Sequence, residues 1–158
     1  MNTIDRPIGW TTIDEAKRLM AANVDLNSAD MSFVEGPSGW TLSATPSLAV
    51  QKNLFSFRQG YELPCWSLGA LLQLLPKQIL IHGNNYFMVV VGNDEFQWSI
   101  CYANAEHSDY PFYSFKGETL VEVCIETFAA LKVAEKEGVV IFLCPEENEK
   151  GGKKCSQS

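Results

Sequence analysis

Two short stretches hold the residues best suited to chemistry. The first is Glu106-His107-Ser108-Asp109, where an imidazole stands among carboxylates in a polar, aromatic loop. Such a loop could converge metal ligands or an acid–base pair. Adjacent Glu and His side chains seldom reach one ion, however, and the other histidine of the chain is His82. A solvated polar loop is the plainer reading. The second is Pro64-Cys65-Trp66, directly before a helix start. A thiol there can be acidified into a nucleophile, but it also needs a general base, and no histidine lies near it in sequence. Packing of Cys65 and Trp66 onto the following helix is the plainer reading. Glu122 and Glu126 lie one helical turn apart, but with 19 acidic residues some carboxylate pair is always at hand. They read as a solvated helix face rather than a glycosidase pair. No GxGxxG, P-loop, GxSxG or HExxH pattern occurs. The sequence thus offers no catalytic residue, no metal ligand set and no cofactor motif. The loop of Glu106, His107 and Asp109 stands as the alternative site.

Composition narrows the classes further. Apolar residues make up 46% and charged residues 20% of 158 positions, as in a single globular domain. The net charge of −7 repels phosphate, so nucleic acid is not expected as a partner. The five cysteines are odd in number, widely spaced and without CxxC. They read as reduced thiols of a cytoplasmic protein. The N-terminus lacks an apolar signal core. The apolar runs Tyr86 to Val91 and Val139 to Leu143 fall far short of the ~20 residues that span a bilayer. No membrane partner is expected. The expected layout is one α+β domain over residues 1–144, followed by a disordered polar tail, 145–158.

The elements that must position any site follow from pattern. Thr12-Ile13-Asp14-Glu15 is a capping box, and Ile13, Ala16, Leu19 and Met20 then share one face of a first helix. Leu26 to Met31 reads as a short capped turn. Residues 32–60 are the least regular stretch, with short strands expected at Trp40-Thr41-Leu42 and Leu54 to Phe57. Ser67 caps a second helix whose Leu68, Leu71, Leu72 and Leu75 fall at i, i+3, i+4 and i+7; Pro76 ends it. Gln78–His82, Tyr86–Val91 and Phe96–Ala103 form a meander, with turns at Gly83-Asn84-Asn85 and Gly92-Asn93-Asp94. Residues 104–113 are a loop. A long helix runs from about Glu118 to Glu137, Gly138 closes it, and Val139–Leu143 is a strand. The fold expected is an antiparallel β-meander packed against two or three helices.

A two-residue turn at Asn93-Asp94 would set Val91 opposite Phe96, Val89 opposite Trp98 and Phe87 opposite Ile100. Those six would form the core face. Tyr86, Met88 and Val90 would then lie on the opposite face, too apolar for water, as a surface for a partner. A register slip of one residue would exchange the faces. Tyr110 and Tyr113 in the neighbouring loop complete this expected interaction surface.

Three segments also carry a resemblance. They are TTIDEAKRLMAANVDLNSADM, LPCWSLGALLQLLPKQI, and the stretch from YFMVVV to GETLVEVCIETFAALKVAEKEG. Together they resemble a family of small uncharacterised bacterial proteins, common in gut anaerobes and often encoded on phage-like or mobile elements. The most specific part is P-x-W-S-L-x-x-L-L-x-L-L-P, Pro64 to Pro76. That family carries no assigned activity, so the resemblance implies no site residue. The expected function is a non-enzymatic binding or interaction module, an accessory protein of a mobile element, whose partner is another protein or a second copy. The alternative is a small hydrolase or transferase with its site around residues 104–113.

Overall fold

The computed structural model describes residues 9–44, 62–92, 97–104, 106 and 113–143. The protein is α+β, with three helices and eight antiparallel strands in two sheets among the described residues. It divides into two compact units, Met1–Leu74 and Leu75–Ser158.

In the first unit, α1 spans Ile13–Ala21. The Thr12 hydroxyl accepts from the Glu15 amide at 3.3 Å, and the Glu15 carboxylate accepts from the Thr12 amide at 2.8 Å. This is the expected capping box, and it satisfies two donors that the helix start leaves unpaired. Asp25 caps a single 3-10 turn, Leu26–Ser28. The three-stranded sheet runs β2–β1–β3, with β1 Met31–Gly36, β2 Gly39–Ser43 and β3 Glu62–Cys65. The expected strand at Trp40–Leu42 lies inside β2, but the irregular reading of the preceding residues is corrected. Gly36 and Gly39 face each other across Pro37-Ser38, so the glycines and proline that suggested irregular chain make a two-residue hairpin loop. Gly39 supplies the positive φ, +101°, at little steric cost. Pro64 is compatible with β3 because β3 is an edge strand, where a missing amide donor is tolerated. Phe33, Leu63 and Cys65 are buried together, with Ile13, Met20, Met31 and Trp40 packed against them. Helix α2, Leu68–Leu74, starts where Ser67 Oγ accepts from the Ala70 amide at 3.2 Å. The expected strand at Leu54–Phe57 lies outside the described residues.

The second unit is a five-stranded sheet ordered β7–β6–β5–β4–β8. Its strands are β4 Gln78–Ile81, β5 Asn84–Gly92, β6 Trp98–Ala103, β7 Tyr113–Gly117 and β8 Val140–Phe142. Strands β4 to β7 form the expected meander, one strand longer than the sequence reading gave, since β7 fills the stretch between the expected loop and the helix start. The β4–β5 turn is His82-Gly83, with φ of 49° and 83°, positive at both positions as tight hairpins favour. Helix α3, Leu120–Lys136, is capped by the Thr119 hydroxyl, and Gly138 follows it at φ 74°. The helix packs against β6 and β7 and also against β8. β7 and β8 are the two edges of the sheet, so the sheet curls around the helix. Val121, Val123, Cys124, Ile125, Thr127, Phe128, Leu131 and Ala134 are accordingly buried, covering more than half the circumference at 3.6 residues per turn. The residues assigned to a polar tail, 145–158, lie outside the described residues.

Candidate functional site

The faces of the five-stranded sheet are set by the β5–β6 register. Val89 stands opposite Cys101, Val90 opposite Ile100 and Val91 opposite Ser99. The expected register is therefore corrected by three positions, since Val89 was placed against Trp98. The chain between Gly92 and Trp98 is longer than a two-residue turn, and because side chains alternate along a strand an odd shift exchanges the faces.

Ile79, Ile81, Ile100, Tyr102 and Val140 are buried on the helix side. By register, Tyr86, Met88 and Val90 share that inner face. Tyr86 and Met88 are half-buried there, while Val90 is 38% exposed. Tyr102, opposite Met88, donates its hydroxyl to the Pro76 carbonyl at 2.7 Å, and burial pushes its phenol well above the usual range. The outer face carries Phe87, Val89 and Val91, exposed by 46%, 39% and 46%. Half-buried Leu80, Cys101, Ala103 and Ile141 flank them. Of the six residues assigned to the core by the two-residue turn, Phe87, Val89 and Val91 thus face out, Trp98 and Ile100 lie on the inner face, and Phe96 is outside the described residues.

The far end of β5 has a second property. Its pairing with β4 covers Asn84 to Phe87, and the Met88 amide still donates to the Lys77 carbonyl at 2.9 Å. Antiparallel backbones alternate their hydrogen-bonding direction, so Val90 and Gly92 point their amide and carbonyl groups the same way as Met88. Past Lys77 no described strand lies on that side. Among the described residues the β5–β6 ribbon therefore ends in an open edge with apolar side chains on both faces, Val89 and Val91 outside, Val90 and Trp98 inside. Sequence reasoning missed this edge. Its signal was a mismatch of length, a long valine run beside a short β4.

The other candidates are less built up. Glu106 is exposed, and its amide donates to the Asn104 side chain at 2.7 Å. His107, Asp109 and Tyr110 lie outside the described residues. Tyr113 opens β7 opposite Tyr102, half-buried, its ring stacked on Phe115 at 6.1 Å between centroids. Cys65 is fully buried, and burial pushes its thiol up to about 11, the reverse of the acidified nucleophile a helix start can produce. Cys65, Cys101 and Cys124 are free thiols. Among the described residues no three His, Cys, Asp or Glu are grouped to hold a metal ion, and no helix is long and apolar enough to cross a membrane. Comparison with protein-family models, with curated proteins and with solved structures finds no match to this chain.

Proposed function

We propose that this protein is a non-enzymatic binding module and that its contact surface is the outer face and open end of the β5–β6 ribbon. The observation that carries the reading is the row Phe87, Val89 and Val91, three large apolar side chains in line and exposed on one sheet face. Isolated apolar side chains on a surface are ordinary, whereas a contiguous row is a mark of contact with another molecule. The partner class the reading favours is protein, since the row is apolar and uncharged.

Replacing Phe87 with a photo-crosslinking benzoyl-phenylalanine in cells tests this. The expected result is an adduct of defined mass from position 87 and none from the exposed Lys17 on α1. Absence of an adduct from position 87, or equal adducts from both positions, would overturn the reading.

A further inference from the structure

We infer that the open end of β5 pairs with β5 of a second copy, antiparallel, about a twofold axis at Val91. The inference rests on the binding reading above and names its partner.

The backbone limits what can occupy the edge. Val90 and Gly92 each present an amide donor and a carbonyl acceptor to the open side, and groups at that spacing are completed by an extended strand. The exposed stretch Val89-Val90-Val91-Gly92 holds no charge and no proline, the devices by which edge strands usually refuse such pairing.

The side chains then favour this chain itself. With Val90 opposite Gly92 of the second copy, and Gly92 opposite its Val90, four backbone hydrogen bonds close around a central Val91–Val91 contact. On the inner face, Trp98 covers Gly92, since a Cβ placed at Gly92 would lie 3.0 Å from the Trp98 ring. Val90 of one copy would therefore meet Trp98 of the other, twice over. These are two inner-face residues of the ribbon that remain exposed, by 38% and 39%. β-branched and aromatic side chains are favourable cross-strand neighbours, and a self-complementary patch is what a twofold interface requires.

Area sets the strength. Val89, Val90, Val91 and Trp98 together expose roughly 300 Å² per copy, if each residue offers about 150–250 Å². A stable dimer buries about 800 Å² per partner. The pair is therefore weak and depends on concentration.

Sedimentation of the full chain across a wide concentration range tests it. The mass should rise from 17.6 kDa toward twice that value. Val91→Lys and Val91→Glu should each stay monomeric, because the twofold sets like charges opposite each other. Mixing the two variants should restore a one-to-one pair. Val90→Pro removes an amide that the protein's own ladder does not use, so it should abolish the dimer with little change in melting temperature. Val133→Lys, at an exposed position on α3 outside the ribbon, should leave the dimer intact. A wild-type chain that stays monomeric up to ~1 mM, the upper end of specific but weak association, would overturn the inference. So would Val91 variants that dimerise alone, a mixture that stays monomeric, or a dimer lost with Val133→Lys and kept with Val90→Pro. A monomeric chain that still gives a foreign adduct from position 87 sinks self-pairing alone; a monomeric chain with no adduct sinks the binding reading as well.

Discussion

The Thr11 hydroxyl donates to the Cys65 sulfur at 3.5 Å, and that thiol lies 3.7 Å from the Thr11 carbonyl oxygen. The contact ties the chain before α1 to the end of β3. The Thr11 amide donates to the Trp66 carbonyl at 3.0 Å, and the Trp66 amide donates back to the Thr11 hydroxyl at 3.2 Å. The Trp66 indole reaches the Ser28 hydroxyl at 2.9 Å. Cys65 is thus a structural group in a polar seam, and its chemistry should reflect that.

The first expectation concerns pH. Burial pushes Cys65 from 9.0 to about 11, with Thr11 hydrogen bonds pulling the other way, and burial pushes Cys124 to about 12. The folded state therefore holds these protons more tightly than the unfolded chain. Their contribution is fully present below pH 9 and is lost as pH rises from 9 through 11 to 12. The free energy of unfolding should fall over that range, with a slope on the order of 1 kcal/mol per pH unit for each thiol, and the melting temperature with it. At pH 8, iodoacetamide should modify Cys65 and Cys124 no faster than the chain unfolds. Rapid alkylation of either in the native protein would contradict this.

The second concerns the start of α1. Thr12→Ala should cost about 1 kcal/mol in urea unfolding. Glu15→Ala should cost a similar amount, and the double variant less than the sum, because each partner completes the other's cap. Strict additivity would mean that the two bonds act independently.

The third contrasts two glycines. A Cβ at Gly117 would lie 2.9 Å from Val123 Cγ2, a buried side chain on α3. Gly117→Ala must push strand and helix apart and should cost about 1–3 kcal/mol. A Cβ at Gly92 meets only the half-exposed Trp98 ring, which can swing away. Gly92→Ala should therefore cost clearly less. Equal losses in thermal stability would show that Trp98 is as firmly held as Val123.

The fourth concerns Tyr102. Tyr102→Phe removes the donor to the Pro76 carbonyl and leaves that acceptor half-buried. A loss of about 1 kcal/mol is expected, near the ordinary net value of one hydrogen bond. Denaturant titration decides it, and no loss would mean that water serves Pro76 equally well.

Local signals carried most of what was legible in the sequence. Thr12 and Glu15 name their own helix start, Gly138 names the end of α3, and the leucine spacing after Ser67 marks α2. These depend on neighbours within a turn of chain. The β5–β6 register does not. Asn93-Asp94 is good turn chemistry, but valine on both faces of β5 gave no alternation to choose between registers, so Phe87 and Val89 were assigned inward. β7 was missed because Tyr113 to Gly117 is short and its pairing with β6 is not encoded nearby. β3 was hidden by Pro64, which argues against a strand unless the strand is known to be an edge. The β5–β6 hairpin was legible, and the side of it that is exposed was inverted.

The curl of the sheet around α3 has a kinetic consequence. Strands β4 to β7 are joined by connections between successive strands and can zip in order. β8 instead meets β4, setting Val140 against Ile81, with two hairpins and the whole helix between them in the chain. That closure bears the larger loop entropy and is expected to come after the meander has formed. Val140→Ala should then speed unfolding while leaving the refolding rate nearly unchanged, as for contacts made after the barrier. A slowed refolding limb in stopped-flow would instead place β8 in the nucleus. On the late-closure account, the lifetime of the folded unit is governed by how often a three-residue strand lets go of its neighbour.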